Sequence, residues 1–362
     1  MAIKELIFAT QQHIQTITGN SFKRTHIYEL LSANFGFNSY AALNSTSIFS
    51  QNQQDQLNPS QQKKNQNHSL LQQRCIDLGY PTKTADLVSL QLPSFIEGFQ
   101  VSVINISDLV DELRTELSYM DETYEWDDEQ FSETLSNDLE FSANKNNSLA
   151  HYALALINTT GKESSGDDYW YRQEQQGRIL TGVEKEWADA HKRNLNKAIK
   201  HSFHLKEAAK LGNKEALLDL ASQFDDPTFF STKNNTTVGE DPVIVSEIAE
   251  KLGLKEDMKQ WLIIAANQGD SDAIFRLIEE LNHDNLQQSW TWVYLAQLLG
   301  TDLTKDDLHA IHENGSSYDD DIGGPMYVDG REAIKLTPLS SEQESSARQE
   351  ANDLYKLIQL ES

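Results

Sequence analysis

Two pairs of histidines have the spacing that metal ligation would need. His201 and His204 stand three residues apart, as do His309 and His312. On a helix this spacing places both imidazoles of a pair on one face, as metal binding requires. Neither pair has a third ligand at a fixed spacing, and surface histidines without any ligand role show the same pattern. The sequence therefore favours histidines on helix surfaces over metal sites.

A run of three aspartates is a second candidate for metal binding. Asp319, Asp320 and Asp321 lie just before two glycines, and carboxylates beside flexible backbone carbonyls suit calcium or magnesium. A metal-dependent hydrolase would combine this run with His309 and His312. The sequence holds no zinc-protease helix, phosphate-binding glycine loop or nucleophile elbow. We therefore expect a polar loop here, and a protein without catalytic, cofactor-binding or metal sites.

The charge of the chain limits its partners. The formal net charge is −26 over 362 residues, although the first 75 residues carry a small positive surplus. An acidic body repels nucleic acid and anionic membranes and favours basic or amphipathic protein partners. Cys75 is the single cysteine, which excludes an intrachain disulfide and a cysteine-based metal site. The chain begins with only a brief apolar run and has no long apolar stretch, so we expect a cytoplasmic protein.

Two segments, 204–221 and 261–278, are similar to each other at a constant offset of 57 residues. Such self-similarity is typical of stacked helical repeats. A glycine in each segment is predicted to end one helix, and the polar residue after it is predicted to cap the next. Small residues beside the glycine would let neighbouring helices approach closely. The matched pairs are Ala208/Ala265, Ala209/Ala266, Gly212/Gly269, Asn213/Asp270, Ala216/Ala273 and Leu220/Leu277.

Two further segments extend this array at both ends. Asn147 and Ala150 stand where Asn213 and Ala216 do, which predicts an earlier second helix at 147–158. Near the other end, a helix places Trp292, Ala296 and Gly300 where Trp261, Ala265 and Gly269 stand, at a step of 31 residues. This step is close to the ~34 residues of a repeat with two helices and two turns. We interpret both tryptophans as repeat core.

On these residues the chain resembles the Sel-one-like repeat family of bacterial proteins, a branch of the tetratricopeptide-type helical repeats. The resemblance covers roughly residues 150–300. It departs from the family in two long insertions and in the absence of the usual Leu-Gly-x-x-Tyr. It implies an all-α fold, a right-handed α-solenoid that holds a partner protein and performs no chemistry of its own.

The remaining regions complete the predicted organisation. We expect a small helical module at 1–48, a Gln/Asn-rich linker at 49–73 and a mixed, mainly helical acidic region at 74–145. Repeats with insertions would occupy 146–301, and a loop plus a capping helix 302–362. Capping boxes are predicted at Thr181 with Glu184 and at Ser341 with Glu344, and a small hairpin at Asp329-Gly330.

These features lead to one expected function and one alternative. The expected function is a protein–protein interaction scaffold or adaptor. Its candidate partner contacts are Tyr318, Asp319, Asp320, Asp321 and Tyr327. The alternative is a DNA-associated regulator, because residues 20–45 contain helices separated by a glycine turn, as in helix-turn-helix proteins. The few positive charges in this region favour a structural module instead.

Overall fold

The computed structural model describes residues 3–51, 67–119, 131–161, 168–232, 238–281, 285–319 and 324–361. The part of the chain that the structure describes is mostly helical, at 68%, which confirms the expected predominance of α-structure. It divides into two compact units, Met1–Leu220 and Ala221–Ser362. Within the described residues, each unit contains one two-stranded antiparallel sheet. None of the described helices combines the length and apolarity needed to cross a membrane.

The first unit contains two short strands, β1 (Ser47–Gln51) and β2 (Val101–Asn105). Its first five described helices are α1 (Ile3–Thr18), α2 (Arg24–Asn34), α3 (Tyr40–Thr46), α4 (His68–Asp77) and α5 (Thr82–Glu97). The later ones are α6 (Ile106–Tyr119), α7 (Glu133–Ala143), α8 (Ser148–Ile157), α9 (Tyr169–Gln175) and α10 (Val183–Lys210). The helix α11 (Lys214–Phe224) begins in this unit and ends in the next.

The N-terminal helices share a core with the helices that follow the predicted linker. Helix α1 packs against α5, and α2 packs against α4. The rings of Phe22 and Tyr80 stack at 4.0 Å between centroids, and Leu31 and Leu71 are fully buried in the same core. The predicted linker at 49–73 is shorter in the structure, because its first three residues belong to β1 and its last six to α4. Asn67 is the N-cap of α4, and the remaining residues, 52–66, lie outside the described residues.

The β1–β2 ribbon contributes its two faces to two different cores. Ser47 pairs with Asn105 and Gln51 with Val101. Because successive side chains of a strand point to opposite faces, Phe49 and Val103 join the core of α1, α2, α4 and α5, whereas Ile104 joins a second core. The ribbon therefore needs apolar residues on both faces, and β2 is almost entirely buried.

The second core of this unit surrounds α8. Helices α6, α7 and α10 all pack against α8, which is buried over nearly its whole length. Its alanines at 150, 153 and 155 are fully buried and leave space for close approach of the neighbouring helices. The N-cap Asn147 accepts hydrogen bonds from the backbone of Leu149 and Ala150, so α8 begins where the sequence predicts.

Among its described residues, the second unit contains helices and one ribbon. Its helices are α12 (Thr228–Ser231), α13 (Pro242–Lys251), α14 (Lys255–Asn267), α15 (Ser271–Arg276), α16 (Leu286–Leu298) and α17 (Ser341–Glu361). Helix α15 continues as a π-helix, Leu277–Leu281, and the strands are β3 (Asp307–Ile311) and β4 (Tyr327–Arg331). Helix α13 packs against α14, and α16 packs against α17. Trp292, Leu262 and Ala351 lie in one apolar core with them.

Two predicted capping boxes differ from the structure. The residue before α10 is Gly182, which makes no side-chain cap, so Thr181 and Glu184 do not form the predicted box. At α17 the box lies one residue earlier than predicted. The hydroxyl of Ser340 accepts a hydrogen bond from the backbone N–H of Gln343. In return, the side-chain oxygen of Gln343 accepts a hydrogen bond of 3.2 Å from the backbone N–H of Ser340. Glu344 lies one residue beyond this box and pairs with Arg348.

The predicted hairpin exists but turns elsewhere. Asp329 and Gly330 lie inside β4, which pairs with β3 over the register Asp307↔Arg331 to Ile311↔Tyr327. Gly330 has φ +107°, and a Cβ at this position would overlap the carbonyl oxygen of Asp307. The glycine is therefore required for the close approach of two strands and not for a tight turn.

Candidate functional site

The repeat residues form the same local structure at three turns. The backbone N–H of Asn213 donates to the Ala208 carbonyl, and that of Asp270 donates to the Ala265 carbonyl, each at 3.1 Å. Thr301 donates to Ala296 in the same way. These bonds are typical of helix ends that close through a left-handed glycine. Gly212 and Gly269 have φ +86° and +95°, as the sequence predicts.

The polar residue after each glycine caps the next helix. The side chain of Asn213 accepts from the Ala216 N–H, and Asp270 accepts from the Ala273 N–H, both at 2.7 Å. Most repeat residues lie in apolar cores, and only Ala209 among the repeat alanines is half-buried. The buried set comprises Ala150, Ala208, Ala216, Trp261, Ala265, Ala266, Ala273, Trp292 and Ala296. These residues position helices and offer a ligand little surface.

The histidines at 201 and 204 lie on one helix face, but both are buried, so the predicted surface location is wrong. His201 Nδ1 lies 2.9 Å from the Ala155 carbonyl oxygen. His204 Nδ1 lies 3.0 Å from Nδ1 of His151 on α8, and its Nε2 lies 3.5 Å from Glu140. The three-residue spacing explains why His201 and His204 share a face of α10. Their burial results from the packing of α10 against α8.

The His151–His204 pair is an electrostatically unusual site. Burial lowers the pKa of His151 and of His204, and the nearby carboxylates of Glu140 and Glu207 offset this only in part. A hydrogen bond across the 3.0 Å contact needs an N–H on one ring and an unprotonated nitrogen on the other. Two neutral imidazoles satisfy this requirement. His151 also interacts with the Ala143 backbone carbonyl. The ring nitrogens are therefore directed at protein atoms, and the pair connects α8 and α10 as a structural contact.

A second buried polar group, the hydroxyl of Tyr152, also lies on α8. The Arg114 guanidinium donates to the hydroxyl of Tyr152 at 2.6 Å, and this hydroxyl donates to Asp219 at 2.8 Å. Burial and the neighbouring Asp219 hold the pKa of Tyr152 well above its usual value. The phenol therefore stays protonated and connects α6, α8 and α11. Neither the sequence repeat nor the helix periodicity indicates this network.

The second histidine pair does not lie on a helix, contrary to the prediction. His309 is in β3 and His312 follows this strand, so alternation of strand side chains separates them. His312 Nε2 accepts from the backbone of Asp319, and its ring lies 4.8 Å from that of Tyr318. Within the described residues, no three His, Cys, Asp or Glu side chains group as metal ligands would. Asp320 and Asp321 lie outside the described residues.

The structure brings the other predicted contact residues together at the β3–β4 hairpin. Tyr327 begins β4, and the backbone of Tyr318 donates to the Ala310 carbonyl of β3 at 2.9 Å. Asp319 follows directly. Ser317 forms an additional bridge with Ile311, so residues 317–319 lie beside β3.

One face of this hairpin is apolar and exposed. Strand alternation and the register place Leu308, Ala310, Val328 and Gly330 on the same face. Leu308 is 50% exposed and Val328 is 65% exposed. We call these four residues the apolar hairpin face. Tyr327, which the sequence indicates as a contact, lies on the opposite face. Leu308 and Val328 were not predicted, although the alternation of apolar residues with charged neighbours is a signal for them.

The base of the hairpin is held firmly by the unit that carries it. The Arg331 guanidinium donates to the backbone carbonyls of Lys305 and Asp302. The Ala333 N–H donates to the Asp306 carboxylate at 2.7 Å, and Ile334 is buried in the apolar core. The exposed face is therefore presented on an anchored support.

The charges around the apolar hairpin face are mainly acidic. Asp307 and Asp329 lie on the opposite face of the ribbon, and Glu313 and Asp319 follow β3. Arg331 is partly engaged with Asp307 at 3.9 Å and with backbone carbonyls. The hairpin thus carries apolar side chains on one face and carboxylates on the other, which is chemically suited to a partner with apolar and basic groups.

No family model, curated protein or solved structure matches the chain.

Proposed function

We propose that this protein is a non-catalytic scaffold or adaptor that binds a basic or amphipathic partner protein through the apolar hairpin face. The observation that carries the proposal is the exposure of Leu308 and Val328 on a two-stranded ribbon. A lone ribbon gains little stability by itself, and exposed apolar groups on it are typical of interaction sites. Anchoring through Arg331 supports a binding role, because a partner then orders few additional groups.

The repeat chemistry supports the scaffold part of this proposal. The turns at Gly212, Gly269 and Gly300 share one backbone hydrogen bond, which the helix ends at Gly36, Gly79, Gly177 and Gly253 also have, so the closer likeness is the N-cap at Asn213 and Asp270. We attribute these helix pairs to Sel-like repeats of a right-handed α-solenoid. In such proteins the buried small residues specify packing, while exposed segments between helices are free to specify a partner. The β3–β4 hairpin, which follows the last repeat helix, is a segment of this kind.

The acidic charge supports the choice of partner. A chain with net charge −26 attracts basic partners and repels acidic ones at long range. A cytoplasmic location is part of the proposal, and the single thiol, Cys75, fits it because it is buried and makes no disulfide. The DNA-binding alternative gains no support from α3, the third helix of the N-terminal region, which contains neither lysine nor arginine.

Affinity capture tests the proposal. Immobilised wild-type protein is compared with a Leu308→Ser/Val328→Ser variant and with a control, Leu357→Ser/Leu360→Ser, which alters two exposed residues of α17. Circular dichroism checks that all three proteins fold. We expect a specific protein to be retained by the wild type and the control, released by salt, and lost from the hairpin variant. Retention of the same proteins by all three would contradict the proposal.

A further inference from the structure

A second exposed apolar surface lies on the long helix α10. Leu195, Ile199 and Phe203 are 41%, 59% and 54% exposed, and they follow each other at four-residue steps. A four-residue step advances only about 40° around a helix, so the three side chains form one continuous ridge. We call this the α10 ridge. The opposite side of the helix carries the buried His201, His204 and Leu205.

The charge of the α10 ridge is opposite to that of the rest of the chain. Residues 190–206 contain five basic residues and no acidic residue, in a chain with net charge −26. Lys192 and Lys206 continue the line of the ridge at its two ends, and Lys200 follows Ile199. The remaining basic residues of the segment are Arg193 and Lys197. At about 100° per residue, Lys192 and Lys206 lie on the same side of α10 as the ridge and Lys200 borders Phe203, whereas Arg193 and Lys197 lie away from it.

We infer that the α10 ridge binds an amphipathic α-helix of another protein that carries apolar residues flanked by carboxylates. A row of side chains at four-residue spacing is the ridge that packs into the groove of a second helix. Lys192 and Lys206 are separated by about 21 Å of helix, which is the length of about four helical turns. This surface differs from the apolar hairpin face in location and in the charge of its partner.

An acidic helix fits the charge pattern better than a lipid bilayer or a nucleic acid. Charges more than about 8 Å apart in solution are largely screened at physiological ionic strength. A single docked helix therefore interacts mainly with the local lysines of the ridge. A bilayer or a nucleic acid extends much further and also meets the acidic remainder of the chain. The protein would then bridge a basic partner and an acidic one.

A pair of designed peptides tests the inference on the full-length protein. One is an amphipathic helix of about 18 residues with leucine at four-residue steps flanked by glutamate, and its twin carries lysine for glutamate. Fluorescence anisotropy measures the affinity of each. We expect the glutamate peptide to bind at least about tenfold more tightly than its twin, because opposite charges face each other.

Variants of the ridge distinguish it from other surfaces. The variant Leu195→Ser/Ile199→Ser should bind the glutamate peptide about tenfold more weakly than the wild type. The variant Lys192→Glu/Lys200→Glu should bind the lysine peptide more tightly than the glutamate peptide. The matched control is Leu90→Ser, which changes another exposed leucine on a helix. The hairpin variant Leu308→Ser/Val328→Ser should bind the glutamate peptide normally, so failure of this inference is separable from failure of the proposed function.

Other occupants of the ridge have their own readouts. Vesicles of phosphatidylserine and phosphatidylcholine that bind wild type but not Leu195→Ser/Ile199→Ser would assign the ridge to lipid. A dimer by light scattering that the same variant abolishes would assign it to a second copy. A further variant neutralises the acidic residues between 121 and 129. If the glutamate peptide binds only this variant, the chain's own acidic segment competes for the ridge. Each of these three results, or equal binding of the two peptides, would overturn the inference.

Discussion

The backbone N–H of Phe49 donates a hydrogen bond of 3.1 Å to the carboxylate of Asp138, 89 residues away. The carboxylate belongs to α7, which packs on β1. It satisfies a backbone donor of the strand that would otherwise be covered without a partner. Burial raises the pKa of Asp138 to about 7, although the hydrogen bond from Phe49 lowers it. The contact between α7 and β1 therefore depends on pH near neutrality.

Asp138→Asn should make β1 less sensitive to pH. Because the folded pKa lies above the ordinary value of 3.8, the folded protein holds this proton more tightly than the unfolded chain. The contribution of Asp138 to stability is thus complete below about pH 4 and declines as pH rises to about 7. We expect the variant, whose amide oxygen can still accept a hydrogen bond from Phe49, to lose this decline, which is on the order of 4 kcal/mol.

Hydrogen exchange of the β1 amides between pH 4 and 8, corrected for intrinsic exchange, measures this effect. Asp111→Asn on the exposed side of α6 is the control and should retain the wild-type profile. A profile of Asp138→Asn that parallels the wild type would show that this carboxyl does not govern the strand.

The His151–His204 pair should produce the opposite dependence on pH. Burial depresses both pKa values, so the stabilising contribution is present above about pH 6.5 and is lost as pH falls through the lower folded values. Replacing His204 with glutamine should lower the free energy of unfolding near neutral pH. It should also make the loss of stability with falling pH less steep than in the wild type. Exchange of the α8 amides reports this, with the exposed His309→Gln as control. An equally steep decline in His204→Gln would exclude the pair as its origin.

Because the two repeat turns have the same N-cap, we expect removal of either cap to lower helix stability by the same amount. Asn213→Ala and Asp270→Ala each remove one N-cap hydrogen bond of 2.7 Å. Each should destabilise its own helix by about 1 kcal/mol. Exchange protection at Ala216 and Ala273 measures the two losses locally. Lys214→Ala, which neighbours the first cap, should change little. A cost at one site but not at the other would mean that the turns are not energetically equivalent.

Gly330→Ala should distort the hairpin without unfolding the unit that carries it. A Cβ at this position would overlap the Asp307 carbonyl, so the two strands must separate. The buried core lies on other elements and should persist. Amide chemical shifts of β3 and β4 should move strongly while those of α16 do not. Gly239→Ala, where an added Cβ meets open space, is the control. Unchanged shifts in β4 would contradict the strand pairing.

The sequence predicted those features that depend on neighbouring residues. The turn glycines at 212 and 269 and the caps after them follow from local backbone chemistry, and the structure has both. Features that depend on distant packing were not predictable in this way. His204 is buried because α8, more than fifty residues earlier, covers it. The cap of α17 begins at Ser340 and not at Ser341, and the two adjacent serines allow either start.

The candidate site was predictable only in outline. Tyr318, Asp319 and Tyr327 were identified from their loop, and the structure places them at one hairpin. Leu308 was not identified, although the alternation of its strand is a local signal for it. Its pairing with Gly330 was not predictable, because β3 and β4 are separated by 15 residues and no local signal fixes their register. Gly330 was assigned to a turn for the same reason.

The affinity of a captured partner for the apolar hairpin face tests the central proposal most directly. Isothermal titration would compare the purified partner with wild-type protein, with Leu308→Ser/Val328→Ser and with the α17 control, each at low and high salt. We expect a loss of at least about tenfold in affinity for the hairpin variant alone, and weaker binding of the wild type at high salt. Equal affinities of the three proteins would contradict it.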